Sequence, residues 1–185
     1  SPSARAFEAK RVTSEGVDVF ALVCIPDLAV RADVIKKLVG NSIPSCLDLM
    51  DYGVAYWPPL ERKTLILIFE RPLGGRVSDV LNNEKSDYNK IDYIKSCLDA
   101  MIKCLDELHS RGIYHRAIRH DNLFFRDDQR QDVVLGEFVS SPPAFDQPIA
   151  YETIERSMAD EGGRGIGRAE DDMYACGVAL TVMTQ

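Results

Sequence analysis

Between His115 and Asn122 the chain reads HRAIRHDN, placing two imidazoles, two guanidiniums, a carboxylate and an amide within one short stretch. Imidazole and carboxylate are the usual general acids and bases, so His120 and Asp121 are candidate proton acceptors. Further on comes Glu137. With the Asn122 amide it could offer the hard oxygen donors that a divalent cation takes. Zinc is not indicated, because His109, His115 and His120 lack the spacing of ligands on one helix face. The five cysteines (Cys24, Cys46, Cys97, Cys104, Cys176) form no C-x-x-C pair, and each has apolar neighbours. They read as buried free thiols of a reducing compartment. The run GGRGIG from Gly162 to Gly167 suggests a phosphate cradle, but no strand precedes it, and it reads as a flexible surface loop.

Elements must hold these side chains in place. Residues 7–13 and 17–25 are strand-like runs joined by a turn at Ser14-Glu15-Gly16, a hairpin pattern. Residues 31–39 put Val34, Ile35 and Leu38 on one helical face, with Gly40-Asn41 as a stop. Residues 46–57 and 62–70 are two further strands around Pro58-Pro59. The second holds the continuous apolar run LILIF, the pattern of a strand covered on both faces. Residues 77–81 suit a short helix. Ser86-Asp87 can cap a long one from about residue 89 to 110. Its Ile91, Ile94, Cys97, Leu98, Met101, Ile102, Leu105 and Leu108 recur at helical spacing as one stripe. Arg111-Gly112 ends it, so the polar stretch at 115–122 sits directly after the longest helix. A polar turn at 127–132 leads into Val133–Val139.

His115-Arg116-Ala117-Ile118 with Asn122 at its offset resembles the catalytic loop of the eukaryotic-type protein kinases, H-R-D-L-x-x-x-N. Glu137-Phe138-Val139 stands where that family has D-F-G, and Ala150-Tyr151-Glu152 where it has A-P-E. Asp171-Asp172-Met173-Tyr174-Ala175-Cys176-Gly177 resembles D-x-W-x-x-G at the start of the central αF helix. The resemblance implies an α+β, two-lobed kinase-like fold. A small antiparallel β-lobe is expected at 1–71, and a mainly helical large lobe at 72–185, incomplete after the start of αF. The start SPSA, without Met, reads as an excised domain.

The departures fall on the chemistry. Ala117 replaces the Asp that accepts the substrate proton, and no Gly-rich loop precedes the first strands. The strand Lys that holds ATP falls at Val23 or Cys24, and the αC acid is only Asp33, best explained as a solvated helix N-terminal residue. The resemblance makes His115 and Arg116 vestigial, with Arg116 free to pair with a nearby acid. Arg119 is the cation left where a Lys meets the transferred phosphate. Asn122 and Glu137 are the vestigial cofactor and metal ligands, and Val139 removes the flexibility of the D-F-G glycine. Phe138, Glu152 and Asp172 are structural: a core plug under αC, the A-P-E acid, and a buried acid that ties αF to the catalytic loop. His120 and Asp121 lie a residue spacing or more from the base position, beyond hydrogen-bond reach of the same proton.

With a formal charge of −7 and no basic run, nucleic-acid binding is not expected. The longest apolar runs are too short for membrane insertion. The segment between Val139 and Ile149, with Ser140 and Ser141 as its hydroxyls, makes a poor phospho-switch. The expected function is a catalytically inactive pseudokinase of the cytoplasm, a scaffold or allosteric module whose partner is another protein or another domain of the same polypeptide. No cofactor is expected, and ATP with Mg would bind weakly. The alternatives are a divergent phosphotransferase using ATP and Mg, and an ATP sensor without turnover.

Overall fold

The structure, a computed structural model, describes residues 3–12, 18–82, 90–160 and 164–185. The turn at 14–16, the cap at Ser86-Asp87 and the first two glycines of GGRGIG lie outside the described residues. The chain divides into two compact units. The first comprises Ser1–Ser42, Asp48–Arg71 and Val139–Pro142, and the second Ile43–Leu47, Pro72–Phe138 and Pro143–Gln185. A simple division at residue 71 is thus modified by two short segments, 43–47 and 139–142, which join the unit opposite to their neighbours in sequence.

In the first unit, β1 (Ala4–Lys10), β2 (Asp18–Cys24), β3 (Leu49–Trp57) and β4 (Arg62–Glu70) form an antiparallel sheet in the order β1-β2-β4-β3. One helix, α1 (Ala32–Leu38), buries Ile35 and Leu38 and leaves Asp33 exposed. Gly40, at φ +69, supplies the left-handed turn beyond the helix end that a side chain would resist. The expectation for LILIF is corrected here. Leu67 and Phe69 are buried, whereas Leu65, Ile66 and Ile68 are only half-buried, so β4 alternates. One face of this antiparallel sheet is better covered than the other. Val23 and Cys24 are buried near the end of β2, and Val23 lies between Arg5 and Ile66 in the ladder.

The second unit contains β5 (Gly75–Arg76), α2 (Val77–Leu81), α3 (Lys90–Ser110), β6 (Leu123–Phe125), β7 (Val133–Leu135), α4 (Ile154–Ser157) and α5 (Ala169–Thr184). The strands order as β5-β6-β7, and α3 packs on β7 and α5. The buried stripe of α3 is Tyr93, Cys97, Ala100, Met101, Cys104, Leu105 and Leu108. Ile91, Leu98 and Ile102 are exposed, so the apolar pattern is wider than the face it buries. On α5 the buried face is Ala175, Cys176, Ala179 and Met183 beside Asp171 and Asp172, while Val178, Leu180 and Val182 are half-buried. Small residues at 175 and 179 let α5 approach its neighbours closely, and full burial of each larger apolar side chain contributes about 1.5–3 kcal/mol.

Candidate functional site

The stretch 115–122 begins where α3 stops. Gly112, at φ +66, turns the chain, and Ile113 N–H donates to Leu108 O at 2.9 Å, satisfying a helix-end carbonyl. Beyond it the backbone forms no helix or strand until β6, so its donors need other acceptors. Asp172, fully buried at the start of α5, supplies them. His115 N–H donates to Asp172 Oδ2 and Arg116 N–H to Oδ1, both at 2.8 Å. His109 Nε2 lies 2.9 Å from Oδ2, completing a three-point cradle. Burial alone would push the Asp172 carboxyl up. The His109 hydrogen bond, the positive field of His115 and the two backbone donors outweigh it and hold it below the usual value.

Arg116 sits at φ +57, a conformation that costs an L side chain energy, and is wholly buried. Its Nη2 donates to Glu152 Oε2 at 2.7 Å, with neither side chain accessible to solvent. The guanidinium also lies against Gly167, where a Cβ would stand 2.5 Å from Cδ and Nε. Glu152 Oε1 accepts from Gln147 Nε2 at 2.7 Å, and Gln147 Oε1 accepts from Ile118 N–H at 3.0 Å. Arg164 Nη1 donates to the carbonyls of Ala144 and Gln147 at 3.0 and 3.1 Å. Segment 144–152 is therefore tied to the stretch at 115–119 by buried polar side chains. In the described part of GGRGIG, Gly165 and Ile166 are exposed, as a surface loop requires, while Arg164 and Gly167 are buried and anchor it.

His115 stacks on Phe138 with ring centroids 4.3 Å apart, and its Nδ1 accepts from Ala117 N–H at 3.3 Å. Asn122 Nδ2 donates to Ala117 O at 2.9 Å and to Glu137 O at 3.1 Å. Gly136 is required beside it, because a Cβ there would come within 2.0 Å of Asn122 Oδ1. Arg119 Nε donates to Asp121 Oδ1 at 2.8 Å, and its Nη1 to Asp146 O at 3.0 Å. Burial raises the Asp121 carboxyl, but its bond to Arg119 and that charge bring it below its ordinary value. His120 Nδ1 meets the Tyr151 hydroxyl at 2.7 Å. Ala117 is buried and offers only a methyl group.

The structure thus gathers His115, Arg116, Ala117, Arg119, Asn122, Glu137, Phe138, Glu152 and Asp172 into one unit. Sequence reasoning missed His109, Gln147 and Arg164. A His in the last turn of a helix is a common dipole partner, but that signal does not name Asp172. For Gln147 and Arg164 no local pattern exists. Among the described residues, no group of three or more His, Cys, Asp and Glu side chains is placed to hold a metal ion.

A small antiparallel sheet with one helix, then a long helix leading into a loop braced from the start of a later helix, is a protein-kinase-like architecture. The chain has a protein-kinase-like fold of α+β class. It is similar to the solved structure of Rad53 residues 1–466 in complex with AMP-PNP, with a TM-score of 0.69 and 17% identity over 97% of this chain and 44% of that one. In sequence it is 28% identical over 128 residues to CBL-interacting serine/threonine-protein kinase 3 of Arabidopsis thaliana, covering 64% of this chain and 28% of that protein. CBL-interacting serine/threonine-protein kinase 8 of the same plant is 26% identical over 166 residues, 83% of this chain and 36% of that protein. CBL-interacting protein kinase 2 of Oryza sativa subsp. japonica is 28% identical over 147 residues, 70% and 30% respectively. The chain spans about a third of the length of these curated relatives. No family model matches it.

Proposed function

We propose that this domain is a pseudokinase, a catalytically inactive module that works by binding another protein or another domain of its own polypeptide. The observation that carries the reading is Ala117, a methyl group at the base position, within a frame whose polar side chains are committed to holding the loop. His115, Arg116 and Asp172 brace backbone or one another, and Arg119 is engaged by Asp121 and the Asp146 carbonyl. Asn122 and Glu137 would be left to hold a divalent cation through the amide oxygen and the carboxylate alone. Both hydrogens of the Asn122 amide go to backbone carbonyls, its oxygen faces Gly136, and Glu137 is half-buried. Val23 or Cys24 at the strand Lys position gives a triphosphate no cation. Loss of the base alone removes roughly 10²–10⁴-fold, and loss of phosphate stabilisation adds to it. The site of action is the cytoplasm, and nucleic acid is not a partner. No described helix is long and apolar enough to cross a membrane.

The test is phosphoryl transfer and nucleotide binding measured on one preparation. Labelled phosphate should enter neither the chain nor generic protein substrates with Mg²⁺ or Mn²⁺, and Ala117→Asp should not restore transfer. A nucleotide present at a hundred times its dissociation constant would stabilise the fold by about 2.7 kcal/mol. That is roughly 5–11 °C for a domain of this size. No such shift is expected with ATP and metal. Incorporation abolished by Asn122→Ala would establish the phosphotransferase reading instead. A clear shift lost in Glu137→Ala, without turnover, would establish a sensor.

A further inference from the structure

The two edges of the four-stranded sheet differ in a way that the kinase-like site does not account for. β1 carries Arg5, Glu8 and Lys10 among its seven residues, the charged pattern that discourages pairing with another strand. β3 carries one charge, Asp51, among nine residues, and no Lys or Pro. Tyr52, Val54 and Tyr56 are 39%, 67% and 58% exposed, and Gly53 and Ala55 between them are exposed too. Among the described residues no strand pairs with β3 on its outer side.

Backbone geometry says which groups are left over. Tyr52 N–H donates at 2.8 Å to Asp51 Oδ1, a side chain, rather than to β4. Outward donors alternate along a strand, so Val54 and Tyr56 share this direction. Their N–H and C=O groups form the start of a ladder, and the ligand chemistry that matches a ladder is an extended strand.

We propose that β3 pairs antiparallel with β3 of a second copy of this chain, about a two-fold axis through Val54. This register sets Val54 opposite Val54 and Tyr52 opposite Tyr56 on both sides, a run of six β-favouring side chains on one face. It also keeps the lone charges apart. Asp51 falls opposite Trp57 of the other copy, so the two carboxylates lie at opposite ends of the pairing and no like charges face each other across it. The self-complementary register is what favours a second copy over an unrelated strand.

The experiment is sedimentation velocity on the full chain up to roughly 200 µM, where a micromolar interface is populated. The wild type should shift from monomer to dimer with concentration. Val54→Lys should raise the dimer dissociation constant at least roughly tenfold, as edge lysines oppose strand pairing, with its melting temperature unchanged. Ala6→Lys, at an exposed position on the β1 edge, should leave the dimer intact. A second measurement fixes the register: Val54→Cys should form an intermolecular disulfide with diamide, since its two Cα atoms would lie about 5.5 Å apart. Tyr52→Cys should not, being about 14–15 Å from its copy. A wild type that stays monomeric overturns the proposal, as do a dimer indifferent to Val54→Lys and equal cross-linking at 52 and 54.

Discussion

Asp172→Ala removes the acceptor for two buried backbone donors, those of His115 and Arg116, together with the His109 contact. A buried donor left unsatisfied costs about 1–3 kcal/mol, so the two amides alone predict a loss of roughly 2–6 kcal/mol. Against a total stability of about 5–15 kcal/mol, that is a large fraction. At roughly 2–4 °C per kcal/mol, the melting midpoint should fall by about 4–24 °C. Asp172→Asn keeps one oxygen and turns an N–H₂ group towards a donor, so it should lie between wild type and alanine. The assay is urea unfolding followed by far-UV circular dichroism, at neutral pH and at a series of acid pH values. Because the folded-state carboxyl is depressed, its contribution is present above the ordinary value of 3.8 and is lost as pH falls through the lower folded value. The alanine variant should therefore lose less stability than wild type across that acid window. If Asp172→Ala costs no more than His109→Ala, the backbone cradle is not what stabilises the loop, and the reasoning fails.

Three further outcomes are expected. Arg116→Met or Glu152→Gln should each cost about 3–5 kcal/mol by stranding a buried partner, whereas Arg116→Met with Glu152→Leu should recover part of it, measured as a double-mutant cycle in urea. Gly167→Ala should destabilise more than Gly165→Ala. Both residues have positive φ, costing about 1–2 kcal/mol, but only the first places a Cβ against Arg116. Burial pushes the Cys97 and Cys176 thiols up to about 12, so neither should react with iodoacetamide at pH 8 until the chain unfolds, as mass spectrometry of the labelled peptides would show.

What the sequence made legible was local. Strand periodicity and the Pro58-Pro59 break placed β4 at Arg62–Glu70, and the apolar spacing placed α3 to within a residue of Lys90–Ser110. The resemblance to D-x-W-x-x-G, aligned on Gly177, singled out Asp172, whose backbone bonds only the structure displays. What stayed hidden depends on partners far away in the chain. Gln147 and Arg164 look like ordinary loop residues until residues 116–118 and 144–152 come together. The exposure of Ile91, Leu98 and Ile102 shows a related limit, since a pattern tells which residues can share a face and not how wide a neighbour will cover it. Ser140 and Ser141, read as the only hydroxyls of a poor phospho-switch, prove buried, with the Ser140 hydroxyl 2.9 Å from that of Ser3.

Ala117 contributes to the loop only through its main chain: its N–H goes to His115 Nδ1 and its carbonyl receives Asn122 Nδ2. Both bonds use main-chain atoms, which do not depend on what side chain the residue carries. Under the proposed reading, the shape of the loop rests on main-chain atoms of residue 117 and turnover would rest on its side chain, so the architecture can stand without the reaction.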